Sequence, residues 1–272
     1  MTRVHAHWSA MMLGTALAVL VSAPADLRAG SPRPLQWTEV PPDDWLSVGG
    51  RLYDKWWAEL GLPEPRRTHP SYPAEGKKSG AATWRCKECR GWDYRGRDGA
   101  YGQGSHYTGI RGIREYDGAD AGEVLAVLTD RTHGYQRALG EVPLRLLARF
   151  VVAGQVDMAR YIDGETGTVK AGDVVQGERL YGRHCARCHG DDGRYQNFSG
   201  DPGEPEYLGT LARDNPWETW HKIRNGHPGS QMPMGPAMMG RWRHAEPMPP
   251  FRSLPREGQL SILKYARTLP PQ

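Results

Sequence analysis

Apolar residues fall at helical spacing in two segments of the chain, residues 141–152 and residues 256–269. Side chains three and four positions apart share one face of a helix, so each segment predicts an amphipathic helix with one buried face. No stretch alternates apolar and polar residues over the length of a useful strand. The pattern therefore predicts a mainly α fold.

A third apolar run lies near the N-terminus, at residues 10–21. It follows a basic residue, Arg3, and residues 23–25 (Ala-Pro-Ala) supply the small side chains of a signal-peptidase site. A membrane-spanning helix needs about 20 apolar residues, so this run predicts a cleaved signal peptide, residues 1–25, and not an anchor. The mature protein is expected to be periplasmic, with no direct membrane span.

The chain uses one pattern twice. The segment 49–53 (Gly-Gly-Arg-Leu-Tyr) is similar to the segment 177–181 (Gly-Glu-Arg-Leu-Tyr). Each is followed by a Cys-x-x-Cys pair and, near the end of its half, by one of the two amphipathic helices. Between the halves, residues 163–172 are polar and Gly-rich, as in a linker. We expect two small helical domains in tandem, residues 26–170 and residues 171–272.

Charge and cysteine usage narrow the function classes. The formal net charge of +4 comes from 35 basic and 31 acidic residues, an excess too small and too evenly spread to indicate nucleic-acid binding. The 4 cysteines form two close pairs, which is not the dispersed pattern of a disulfide-stapled domain. The sequence contains no P-loop, dinucleotide fingerprint or Gly-x-Ser-x-Gly motif. Nucleotide use and hydrolysis therefore have no support.

The second cysteine pair carries the strongest chemical signal. Cys185-Ala-Arg-Cys188-His189 has the Cys-x-x-Cys-His spacing of covalent haem c attachment. On one turn of helix these positions share a face, so two thiols reach the haem vinyl groups while an imidazole lies under the iron. The motif predicts one haem c in this half, attached through Cys185 and Cys188, with His189 as the proximal ligand.

The surroundings of this motif point to a family. Residues 177–181 lead into it, Gly190-Asp-Asp-Gly193 follows it, and the terminal helix contains Tyr265 and closes on Leu269-Pro270. With these features, the second half resembles the class I c-type cytochromes. The resemblance implies a small helical domain around one haem, with methionine as the sixth iron ligand. A thioether ligand raises the reduction potential and suits electron transfer.

Two methionines compete for that sixth position. Met232 follows a helix-then-glycine pattern that resembles the family's entry to the ligand loop, whereas Met248 precedes the terminal helix in a Met-Pro segment that resembles the exit. The terminal helix backs the haem and anchors the loop, so we prefer Met248 and keep Met232 open. Met234, Met238 and Met239 are weaker candidates.

The first cysteine pair departs from the pattern. Cys86-Lys-Glu-Cys89-Arg90 has both thiols, but it has arginine where the proximal histidine belongs, and arginine does not ligate iron. The residues around it resemble the first module of exported two-module cytochromes, which normally carry Cys-x-x-Cys-His at this point. His133 occupies the sixth-ligand position of the pattern, and His106 is a further candidate ligand.

Three interpretations of the first half stay open. It holds a second haem c with an altered ligand set, it is haem-free with a Cys86–Cys89 disulfide, or it carries a redox-active dithiol. An exported pair of free thiols tends to oxidise.

Together these features predict a c-type cytochrome that transfers single electrons between redox partner proteins. Basic residues near the haem edge are expected to attract partners with acidic docking surfaces; they are Arg183, Arg187 and Arg194. One alternative is a dihaem oxidoreductase acting on a small inorganic substrate such as thiosulfate. Another is a haem-carrying subunit docked on a larger dehydrogenase or oxidase. No catalytic residue is assigned, and electron transfer is favoured over a stand-alone enzyme.

Overall fold

Helices provide nearly all the regular structure in the computed structural model of the protein. The described residues are 40–199, 201, 203–229, 231–233, 242–244 and 247–271, and the expected signal peptide lies outside them. All of these described residues belong to one compact unit. No helix among the described residues is long and apolar enough to cross a bilayer.

The mainly α prediction is confirmed. The described helices are α1 (Trp45–Glu59), α2 (Cys86–Arg90), α3 (Ala121–Leu128), α4 (Glu141–Ala153), α5 (Val174–His184), α6 (Ala186–His189), α7 (Leu208–Asp214), α8 (Pro216–Asn225) and α9 (Arg256–Ala266). The strands β1 (Gln231–Pro233) and β2 (Trp242–His244) pair antiparallel. Neither strand is predictable from the sequence, because three residues are too few to show an alternating pattern.

The sequence repeat is also a structural repeat. Helix α1 packs against α4, and α5 packs against α9. A Cβ atom on Gly49 would lie 2.6 Å from Cβ of Phe150, and one on Gly177 would lie 2.8 Å from Cβ of Tyr265. Real Cβ atoms essentially never come so close. Each pair therefore needs glycine on one helix opposite an aromatic residue on the other.

A tyrosine ties the first helix of each pair to the end of its cysteine motif. Tyr53 donates a hydrogen bond to the carbonyl of Gly91 at 2.6 Å, and Tyr181 donates to the carbonyl of Gly190, also at 2.6 Å. Both glycines adopt a positive φ, of 76° and 82°, which only glycine adopts without strain. The two halves thus fold the chain around their cysteine pairs in the same way.

Helix α8 of the second half packs on α1 of the first. His221 on α8 is buried, accepts a hydrogen bond from the Tyr94 hydroxyl at 2.9 Å and donates to the carbonyl of Gly50 at 3.0 Å. Arg51 donates to the carbonyl of Asn225 at 3.0 Å. These buried polar contacts fix the register of the two halves, because each would leave an unpaired group if broken.

The Gly-rich stretch between the halves is not loose. Ile162 and Val169 form an antiparallel bridge within it, and both side chains are buried. The backbone amide of Lys170 donates to the carbonyl of Tyr161 at 2.8 Å. The division into two domains near Lys170 stays a prediction.

Candidate functional site

The Cys-x-x-Cys-His segment forms a tight helical turn after α5. Asp173 caps the start of α5 by accepting a hydrogen bond from the amide of Gln176 at 2.7 Å. At the other end, the amides of Cys188 and His189 both donate to the carbonyl of Cys185, at 3.1 and 3.0 Å. The backbone of Cys185, Cys188 and His189 therefore forms one helical turn, and the role of these residues in haem attachment stays a prediction.

The imidazole of His189 is held in its neutral form. Burial lowers the pKa of His189 to about 4, and the nearby Lys222 cation adds to this effect. Its Nδ1 atom is buried and makes no hydrogen bond within the part of the chain that the structure describes. A neutral imidazole keeps a lone pair for a metal.

The two thiols of this half differ in their surroundings. Cys185 is buried, and burial raises the pKa of its thiol to about 12, whereas Cys188 is exposed. A covalently attached haem needs two thiols for attachment and one neutral imidazole as an iron ligand, and this turn carries all three. The residues present fit the group that the motif implies.

Met248 lies in the segment that connects α8 to α9. Its amide donates to the carbonyl of His227 at 2.9 Å, and its carbonyl accepts from the amide of His227 at 3.1 Å. Three residues later, the ring of Phe251 lies 5.5 Å from that of His184, the residue before Cys185. The Met248 segment is therefore anchored beside the cysteine motif.

The remaining candidates for the sixth ligand are Met232 and the three weaker methionines. Met232 lies in β1, with its backbone opposite Arg243. Met234, Met238 and Met239 lie outside the described residues.

In the first half, α2 carries the cysteine pair and ends at Arg90. The Nη2 atom of Arg90 lies 2.9 Å from Nε2 of His133, and its Nη1 atom donates to the carbonyl of Arg111 at 2.9 Å. The structure thus brings the predicted sixth ligand of this half directly onto the arginine that replaces the proximal histidine.

The thiols of the first half are poorly suited to redox chemistry. Cys86 and Cys89 are free thiols in the structure. Burial raises the pKa of Cys86 to about 12 and that of Cys89 to about 11. The reactive form of cysteine is the thiolate, so these values disfavour the dithiol interpretation.

The residues of the first half do not fit a haem with His133 as a ligand. Metal–imidazole bonds are about 2 Å long, so two axial nitrogens lie about 4 Å apart across a metal. The 2.9 Å between the Arg90 and His133 nitrogens leaves no room for an iron atom. The other candidate ligand, His106, lies with its Nδ1 atom 2.9 Å from Oε1 of the buried Glu88.

A largely buried layer of charges lies where α1, α2 and α8 come together, and the sequence does not predict it. Among the described residues, the layer contains three ion pairs. Asp54 on α1 pairs with Arg85, the residue before α2. Glu88 pairs with Lys87 within α2, and Glu218 pairs with Lys222 within α8. Asp54 offers a signal in the sequence, because it is a charged residue among the apolar and aromatic positions Leu52, Tyr53, Trp56 and Trp57 of α1. Such a position usually requires a buried partner.

The basic residues near the second cysteine pair differ in exposure. Arg183 and Arg187 are exposed, while the guanidinium of Arg194 lies 5.4 Å from the centre of the Tyr207 ring.

No group of three or more metal-binding His, Cys, Asp or Glu side chains occurs among the described residues.

Comparison with known proteins places the second half in a family context. Residues 172–260 match the family model described as cytochrome C oxidase, cbb3-type, subunit III. The match supports a c-type cytochrome domain, which implies covalently bound haem c, haem-based electron transfer and redox partner proteins. No curated protein and no solved structure matches the chain.

Proposed function

We propose that the chain is a periplasmic carrier of single electrons, with one working haem c in its second half. The observation that carries this proposal is the turn that holds Cys185, Cys188 and a neutral His189 together. The family match over residues 172–260 supports it independently.

Each residue of the site has a distinct task. The thiols of Cys185 and Cys188 would attach the cofactor covalently, and His189 would provide the proximal nitrogen. When bound, the haem iron supplies a one-electron couple between its ferric and ferrous forms. The protein holds the His189 imidazole neutral and buries Cys185, and both features would influence the reduction potential of the bound haem.

Electrons would enter and leave on the side of Cys188. This cysteine is exposed, and Arg183 and Arg187 are exposed near it. A positive rim speeds encounter with an acidic partner and weakens as salt is added. We therefore propose acidic docking surfaces on the redox partners.

A second candidate is a haem-carrying subunit docked on a larger oxidase, and the description of the matched family favours it. Co-purification with a larger oxidase would distinguish it from a free carrier. The dihaem oxidoreductase is less favoured, since it needs an open iron in the first half, where Arg90 and His133 are in direct contact.

Removing the thiols of the second half tests the function. We expect the double variant Cys185→Ala/Cys188→Ala to lose all covalent haem, because thioether bonds need these sulfurs. The measurement is the haem-to-protein ratio of protein made with a cytochrome c maturation system. Cys86→Ala/Cys89→Ala is the matched control and should keep its haem. Wild-type protein without covalent haem would contradict the proposal.

Replacing Met248 tests the sixth ligand. We expect Met248→Leu to lower the reduction potential and to convert the ferric haem from low to high spin, because leucine has no donor atom. Redox titration and the optical spectrum of the ferric protein measure both effects. Met232→Leu is the control with the same change of side chain. If Met232→Leu gives these changes and Met248→Leu does not, Met232 is the ligand.

A further inference from the structure

We propose that a contact between Arg90 and His133 closes the first half to haem, so that the chain carries a single haem. This half, residues 40–170, repeats the helix packing of the second half but has a hydrogen bond between two side chains where the pattern predicts two iron ligands. The closure concerns the first half alone, while the count of one haem per chain rests on the proposed function of the second half.

The hydrogen bond uses the nitrogen that would have ligated iron. Nδ1 of His133 lies 3.1 Å from Oδ1 of Asp130, which also accepts a hydrogen bond from the His133 amide at 2.7 Å. A carboxylate only accepts, so Nδ1 carries the proton and Nε2 keeps the lone pair. The permanently charged guanidinium of Arg90 donates to that lone pair at 2.9 Å. His133 is therefore occupied by a cation on the chain itself.

A second contact closes the space beside the cysteine pair. The hydroxyl of Tyr135 lies 4.0 Å from Sγ of Cys86 and donates to the carbonyl of Trp84 at 2.9 Å. Tyr135 is buried. A haem attached through Cys86 would have to displace this ring and break its hydrogen bond. The same turn of the chain, residues 130–135, thus covers both the ligand position and a thiol.

The segment between α1 and α2, residues 60–85, holds that turn in place. His69 lies with Nε2 3.1 Å from the carbonyl of His133, and Ser71 donates from Oγ to the carbonyl of Thr132 at 2.7 Å. The ring of His69 also packs at 4.4 Å from that of Trp84. Side-chain contacts from this segment therefore hold the turn, and with it His133, within reach of Arg90 on α2.

The fold itself remains competent to present the motif. The Tyr53 hydroxyl still ties α1 to the end of α2, and Gly49 still allows α1 to cross α4. The amide of Gly96 donates to the carbonyl of Arg90 at 2.8 Å, as the amide of Tyr195 does to the carbonyl of His189 at 2.9 Å. Arg90 thus occupies the backbone position of a proximal histidine, and the change lies in its side chain.

The test is to restore the histidine. We expect the Arg90→His variant, made with a cytochrome c maturation system, to carry two haems per chain instead of one. The Cys-x-x-Cys-His motif is then complete, and His133 no longer contacts an arginine. Arg90→Lys is the matched control: it keeps the positive charge without an imidazole and should stay at one. The haem-to-protein ratio and the intact mass give the count. Two haems in the wild type, or one in Arg90→His, would overturn the proposal.

A second measurement does not depend on the folding of a variant. Nitrogen-15 NMR of the wild-type holoprotein should show His133 protonated at Nδ1, with Nε2 accepting a hydrogen bond from Arg90. Resonances of His133 displaced by a bound paramagnetic iron would overturn the proposal. Introducing Cys185→Ala/Cys188→Ala into both backgrounds locates the haems. We expect no haem in that variant alone and one when Arg90→His is added.

Discussion

Asp54→Asn is expected to destabilise the protein by about 3–5 kcal/mol, the usual cost of removing one partner of a buried ion pair. The Asp54 side chain is 1% exposed and pairs with Arg85, while its second oxygen lies 3.6 Å from Nε2 of His227. The cations of Arg85 and Lys222 help to hold the pKa of Asp54 well below its usual range despite burial. An amide at this position would leave those cations without their countercharge. Urea denaturation of the holoprotein measures the loss.

The same pair has a defined pH dependence. Because the folded-state pKa of Asp54 is lowered, its contribution is complete above the ordinary carboxyl pKa and is lost as the pH falls below it. Glu141→Gln is the control, since it breaks an exposed pair with Arg145 whose side chains are 72% and 49% exposed. That substitution should change the free energy of unfolding by no more than about 0.5 kcal/mol. Equal effects of the two substitutions would contradict the assignment of a buried pair.

The second half is predictable from sequence because its information is local. The spacing of Cys185, Cys188 and His189 places two thiols and one imidazole on one helical turn, and this placement does not depend on distant parts of the chain. The repeated glycine and tyrosine, Gly177 and Tyr181, follow from packing requirements that recur in each half. Helices α4 and α9 follow from apolar spacing alone.

The contacts that shape the first half are not local, and the sequence does not reveal them. Nothing in the spacing of Arg90 and His133 distinguishes two positions on either side of a haem from two side chains in direct contact. The structure distinguishes them through residues far along the chain, such as His69, which contacts the turn that carries His133. Most of the buried layer of charges is hidden for the same reason, since Glu88 and Glu218 each look like solvated residues when the sequence alone is considered.

The buried histidine between α1 and α8 gives the second large prediction: stability is expected to fall by about 3 kcal/mol from pH 7 to pH 4 through His221 alone. Burial lowers the pKa of His221 from its ordinary 6.5 to about 4. Asp54 opposes this shift, and the cations of Arg252 and Lys222 add to it. Between pH 6.5 and about pH 4, His221 binds a proton in the unfolded chain but not in the folded chain, so acid favours unfolding. Urea denaturation of the holoprotein across this range measures the slope.

His221→Gln isolates this contribution from the other groups that titrate in acid. Glutamine offers an acceptor for the Tyr94 hydroxyl and a donor for the Gly50 carbonyl, as the imidazole does, but it binds no proton. The difference in free energy of unfolding between the wild type and this variant should therefore shrink by about 3 kcal/mol from pH 7 to pH 4. A difference that stays constant over this range would mean that His221 is protonated as readily in the folded protein as in water. That result would place the imidazole outside the buried contact between α1 and α8.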